Sequence, residues 1–219
     1  MEDRYLTIDI ECTGIYREKG SKFMAYAFPC DELKVFEEKL DLLKKEHPKA
    51  RHHCYAYILD PSNQQYRYND DGEPSGSAGL PIYNQLKSMQ LKKIGVVVVR
   101  YFGGKKLGIP GLINAYKEAT QDAFSGIKII ERYIEDLFKI SFMFEQTGLV
   151  MRIMNEAGVR ILENGFLESP YIIFAVRQSM SRDVMFRLFA LLLSRNTSDI
   201  KGDELIPGFK FEKTGVVNA

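Results

Sequence analysis

Apolar positions along the chain alternate between two patterns: short strand-like runs, and stripes stepped by three and four. Weak alternation over Tyr5–Cys12 predicts a strand, and Lys22–Phe28 predicts a second. Leu33, Phe36, Leu40 and Leu43 predict a helix with one buried stripe, capped by Asp31 and ended by Pro48. His52–Leu59 predicts a strand, Asp-Pro-Ser-Asn at 60–63 a turn, and Gln65–Tyr68 the returning arm of a hairpin. After the loop 69–79, a helix is predicted over 80–89. The continuous run Ile94-Gly-Val-Val-Val-Val99 has the pattern of a strand buried on both faces. Leu112, Ala115, Ala119 and Ala123 predict a further helix, opened by Pro110-Gly111 and stopped by Gly126.

The pattern restarts between Gly126 and Glu135, which predicts two domains, 1–130 and 131–219. The second half reads as strand 135–144, helix 147–157, strands 159–167 and 170–178, helix 181–194 and strand 204–212. This βαββαβ order predicts a ferredoxin-like split βαβ sandwich, with two helices over one face of a four-stranded antiparallel sheet. The fold class is α+β.

Composition narrows the function. The 219 residues are 45% apolar and 27% charged, an ordinary globular balance. A net charge of +1 excludes a bulk polyanion binder, so any nucleic-acid contact must come from a local patch. The acidic start Met1-Glu-Asp-Arg4 has no apolar leader, and Val184–Leu193 is short and interrupted by Arg187. Cys12, Cys30 and Cys54 are odd in number and lack metal-ligand spacing, as reduced buried thiols would be. Together these features predict a cytoplasmic protein with no membrane span, metal or cofactor.

Two loops carry the candidate chemistry. Arg100-Tyr-Phe-Gly-Gly-Lys-Lys-Leu-Gly108 joins the buried strand to a helix. Gly103 and Gly104 allow close backbone approach, and Arg100, Lys105 and Lys106 supply charge, so the loop can cradle phosphate or nucleic acid. It can equally be a tight turn with solvated lysines. Loop 69–79 offers Asp70, Asp71, Glu73, Ser75 and Ser77 ahead of a helix. Ser75 and Ser77 fit a second anion site, the three acids fit a magnesium site, and a plain capping loop, with Ser75 or Ser77 capping the helix and the acids paired to Arg100 or the lysines, fits as well. His52 and His53 face opposite sides of a strand, so one at most can act with the acids as a general base. Tyr55, Tyr57, Tyr66, Tyr68, Tyr101 and Phe102 suit either base stacking or the core.

The Arg100–Gly108 loop, the Asp70-Asp-Gly-Glu-Pro-Ser-Gly-Ser-Ala-Gly79 loop and the His52-His-Cys-Tyr-Ala-Tyr57 strand together resemble the YigZ/IMPACT family, over roughly residues 15–125. The resemblance implies an N-terminal domain like domain IV of elongation factor G, with a left-handed βαβ crossover. It implies a C-terminal domain like the last domain of that factor. It also implies a translation-associated regulatory or binding protein that contacts RNA, the ribosome or a protein partner. Pro110 and Asn114 stand where many bacterial relatives carry a glycine and an arginine. The competing expectation is a hydrolase or other small-substrate enzyme using the cleft between loops 69–79 and 100–108, with His53, Asp70, Glu73 and Ser75 as reactive groups.

Overall fold

In the computed structural model, which describes residues 3–62, 64–167, 169–201 and 206–218, the apolar run at 94–99 lies in the middle strand of a five-stranded sheet. The predicted turn at 60–63 and strand at 204–212 fall partly outside those residues, at 63 and at 204–205. The chain forms two compact units, Tyr5–Glu131 and Arg132–Ala219, the latter together with Met1–Arg4.

β1 (Arg4–Thr7) comes first in the chain and belongs to the second of the two sheets. The first unit then contains, in order, β2 (Cys12–Glu18), β3 (Ser21–Pro29), α1 (Leu33–Glu46), β4 (His52–Ile58), β5 (Tyr66–Asn69), α2 (Gly79–Ser88), β6 (Ile94–Tyr101) and α3 (Gly108–Ala123). The strand predicted over 5–12 ends at Thr7 as β1, because the chain bends at residues 9–10, and β2, which was not predicted, starts at Cys12. Strand order is β2-β3-β6-β4-β5, antiparallel throughout.

Both faces of β6 are covered, which explains its unbroken apolar sequence. Ile94, Val96 and Val98 pack with Ile82 and Leu86 of α2 and with Ala115 and Ala119 of α3. Val97 and Val99 pack with Phe36 and Leu43 of α1. Each fully buried valine, leucine, isoleucine or phenylalanine among these contributes about 1.5–3 kcal/mol. Gly95 has no side chain for a packing reason: a Cβ there would stand 2.7 Å from the Phe28 ring and 2.9 Å from Phe36, which stack on each other.

Two helix starts differ from expectation. The residue before α1 is Glu32, with no side-chain cap, while Asp31 approaches Lys93 at 3.8 Å. α3 begins at Gly108, so Pro110 sits inside its first turn, where a missing N–H costs no helical bond.

The second unit has β7 (Ile130–Phe142), α4 (Thr147–Ala157), β8 (Arg160–Gly165), β9 (Tyr171–Arg177), α5 (Ser181–Leu193) and β10 (Phe209–Asn218). Its strands β10-β7-β9-β8 pair antiparallel, and β1 pairs with β7 as a fifth strand where four were predicted. Ile140 and Phe174 on the sheet meet Val150 and Ile153 of α4 and Leu188 of α5. The start of the chain is tied into this unit. The Asp3 carboxylate accepts hydrogen bonds from the Ser179 amide at 2.9 Å and hydroxyl at 2.6 Å, and its carbonyl accepts one from the Ile134 amide. Among the described residues, no helix is long and apolar enough to cross a membrane.

Candidate functional site

Loop 69–79 carries β5 into α2 through left-handed backbone at Asp71, Gly72 and Gly76. Its shape is set by Asp70. One carboxylate oxygen accepts from the amides of Ala78 and Gly79 at 2.9 and 2.8 Å, and the other accepts from Gly76 at 2.9 Å. The cap of α2 is therefore a carboxylate reaching across the loop, not Ser75 or Ser77. Ser75 is exposed, and the Ser77 hydroxyl donates to the Pro74 carbonyl at 2.6 Å. The amides that a second bound anion would need at this helix start already hold an acidic side chain.

Glu73 turns inward. Its Oε1 accepts from Arg100 Nη1 at 2.5 Å and from the Tyr116 hydroxyl at 2.8 Å. Tyr116 is fully buried, and the Cys54 Sγ lies 3.2 Å from its oxygen and 2.9 Å from the Asp70 carbonyl. The Arg100 guanidinium also lies 5.3 Å from the Phe23 ring centre and 5.5 Å from that of Phe102. Burial pushes both the Cys54 thiol and the Tyr116 hydroxyl up, so neither is an anionic nucleophile near neutral pH.

The two histidines separate as strand geometry requires, but the one beside the cleft is His52. Its Nδ1 donates to the Asp71 carbonyl at 2.7 Å, which leaves Nε2 as the acceptor of the neutral ring. His53, the expected base, faces the α1 side. Its ring is buried, Nε2 has no partner, and Nδ1 stands 4.0 Å from an Asp71 oxygen that accepts the His53 amide. Burial, reinforced by Lys44, His47 and His52, lowers its pKa against the pull of Asp71. Asp70, Asp71 and Glu73 thus serve separate partners. Among the described residues no group of three or more acidic, histidine or cysteine side chains is placed to hold a metal ion.

In loop 100–108, Gly103 and Gly104 have different tasks. Gly103 packs on Gly20, where a Cβ would come within 1.9 Å of the backbone, and its amide donates to the Ser21 hydroxyl at 3.1 Å. Gly104 adopts a φ of 84° in open surroundings. Lys105 and Lys106 are exposed and pair with no described acid. The helix that follows starts at Gly108 without a side-chain cap.

Between the two loops lies a cavity of about 460 Å³. Arg51, His52, Arg100 and Lys106 line it with Glu73, and Phe102, Leu107, Ile109 and Leu112 form its apolar surface. Tyr116, Arg51 and Ile109 were not singled out from the sequence, and Cys54 was read only as a buried thiol. A large tyrosine in an otherwise alanine stripe (Ala115, Ala119, Ala123) is the one signal that pointed to Tyr116.

The chain is thus an α+β protein of two units, with a buried Glu73–Arg100 pair beneath a cationic surface loop. A family model described as the Impact N-terminal domain matches residues 19–124. An IMPACT family member of Haemophilus influenzae is 37% identical over 165 residues, covering 73% of this chain and 79% of the relative. The IMPACT family member YvyE of Bacillus subtilis is 31% identical over 185 residues, 84% of each chain. YigZ of Escherichia coli is 40% identical over 113 residues, 51% of this chain and 55% of its own. A crystal structure described as a hypothetical protein aligns with a TM-score of 0.65 at 25% identity, covering 84% of this chain and 90% of that one. The chain belongs to the IMPACT family.

Proposed function

We propose that this chain is a binding protein of the cytoplasm, acting in translational regulation, whose loop 103–108 grips the phosphate backbone of structured RNA, free or in the ribosome. One observation carries this reading above catalysis. The acids of the cleft are spent on structure, while Lys105 and Lys106 stay exposed and pair with no described acid. Lysines beside an uncapped helix start suit a polyanion that is recognised by shape and charge. The family resemblance supports the translational setting. The βαββαβ chain order, with spatial order β10-β7-β9-β8, supports a ferredoxin-like second unit. A first unit like domain IV of elongation factor G fits the same setting. Three free cysteines, all buried, suit a reducing compartment.

Affinity isolation from a lysate, with and without nuclease, tests the reading. RNA or ribosomes recovered only without nuclease support it. A single protein partner that survives nuclease overturns it in favour of a protein-directed regulator.

A further inference from the structure

The cavity between the loops is more than a by-product of the turn. Its volume of about 460 Å³ lies in the range of small-molecule sites, about 300–1,000 Å³. Three cations line it, Arg51, Arg100 and Lys106, against the single carboxylate of Glu73. That carboxylate is already engaged by Arg100 and Tyr116, so the charge left for a visitor is positive. Arg100 is 94% buried by its 6% exposure, yet its Nε has no hydrogen-bond partner. Gly108 and Ile109, the first residues of the 16-residue α3, also line the cavity and bring the positive end of that helix to it. Apart from His52, whose Nδ1 is held by the Asp71 carbonyl, the rest of the lining is flat or apolar. Phe102 is half exposed, and Leu107, Ile109 and Leu112 add hydrocarbon. No asparagine or glutamine is present to read a base edge.

An anion joined to a flat apolar ring matches this lining better than a bare anion. We infer that the cavity binds a phosphate monoester carrying a nucleobase: a free mononucleotide, or the 5′-phosphorylated end of an RNA strand. The phosphate lies against Arg51, Lys106 and the start of α3. The base lies against Phe102 and the aliphatic side chains, held by stacking and shape. This deepens the RNA reading, on which its strand-end form rests, and it predicts little preference among the four bases.

The test uses the full chain and fluorescence anisotropy with a short single-stranded RNA bearing either a 5′-phosphate or a 5′-hydroxyl, with AMP as competitor. The phosphorylated strand should bind about tenfold tighter, the size of one charge-assisted hydrogen bond. Arg51→Ala and Ile109→Trp, both at exposed positions, should each remove that preference. Lys105→Ala should weaken both strands alike. Competition by AMP at the affinity of the strand identifies the free nucleotide as the source, and competition by the phosphorylated strand alone identifies the strand end. Equal binding of the two strands with no competition by AMP overturns the inference but leaves the loop reading standing. A preference that survives Ile109→Trp also overturns it. Binding of AMP by a protein that binds neither strand sinks the RNA reading and keeps the cavity.

Discussion

Arg100 and Glu73 form an ion pair in which the side chains are only 7% and 3% exposed. That pair, with the Tyr116 hydroxyl, supplies the partners of the Glu73 carboxylate inside the first unit. Removing one partner of a buried pair leaves an uncompensated charge, at a cost of about 3–5 kcal/mol. Glu73→Gln should therefore lower the stability of the first unit by about that amount in denaturant unfolding. Glu73→Gln combined with Arg100→Met should recover part of the loss. A loss below about 1 kcal/mol for the single variant would show that the pair does not hold the loop.

Asp70 accepts three amides at the start of α2, so Asp70→Ala should cost about 2 kcal/mol, at the upper end for a helix cap. Ser75→Ala, at an exposed position, should change stability by no more than about 0.5 kcal/mol. Thermal unfolding of the two variants separates the carboxylate cap from a serine cap. Equal losses contradict the assignment.

His53 gives a pH signature. Its folded pKa lies below the unfolded value of 6.5, mainly through burial. The unfolded state then binds the proton more readily, so the neutral ring's contribution is complete above pH 6.5 and is lost as pH falls toward the folded pKa. His53→Gln should flatten this part of the stability profile relative to the parent. Parallel profiles for the two proteins, compared by urea midpoints across pH 7.5 to 5.5, roughly one unit either side of the histidine range, would remove His53 as the cause.

The two loop glycines should respond differently. Gly103→Ala drives a methyl into the Gly20 backbone and should prevent normal folding of the 100–108 turn. Gly104→Ala meets no neighbour and should cost only the left-handed backbone penalty, about 1–2 kcal/mol. Hydrogen exchange across β3 and β6 reports the difference, since Gly103 and Ser21 tie the ends of these strands.

Local rules made much of this legible. The steps of three and four found α1 and α3, and the unbroken valines found β6. β2 was missed because Gly14 interrupts its alternation. That glycine is there because α3 comes so close that a Cβ would stand 2.2 Å from the Ala123 amide. The α2 cap was misassigned to a serine because Asp70 reaches amides six to nine positions away, beyond any local capping pattern. The choice between His52 and His53 depends on which face of β4 meets α3, and alternation alone does not say which face that is. A cleft between the two loops was expected, but its full lining was not: Arg51 and Ile109 are brought to it by tertiary packing alone.

The central claim is that the cationic loop, not the acidic one, is the working surface. It is tested most directly by the salt dependence of binding to structured RNA. For the unmodified chain, log affinity should fall linearly with log salt concentration. In Lys105→Ala/Lys106→Ala the slope should be shallower by about 2, one for each lost phosphate contact, with weaker binding at low salt. An unchanged slope and affinity in the double variant would contradict the account.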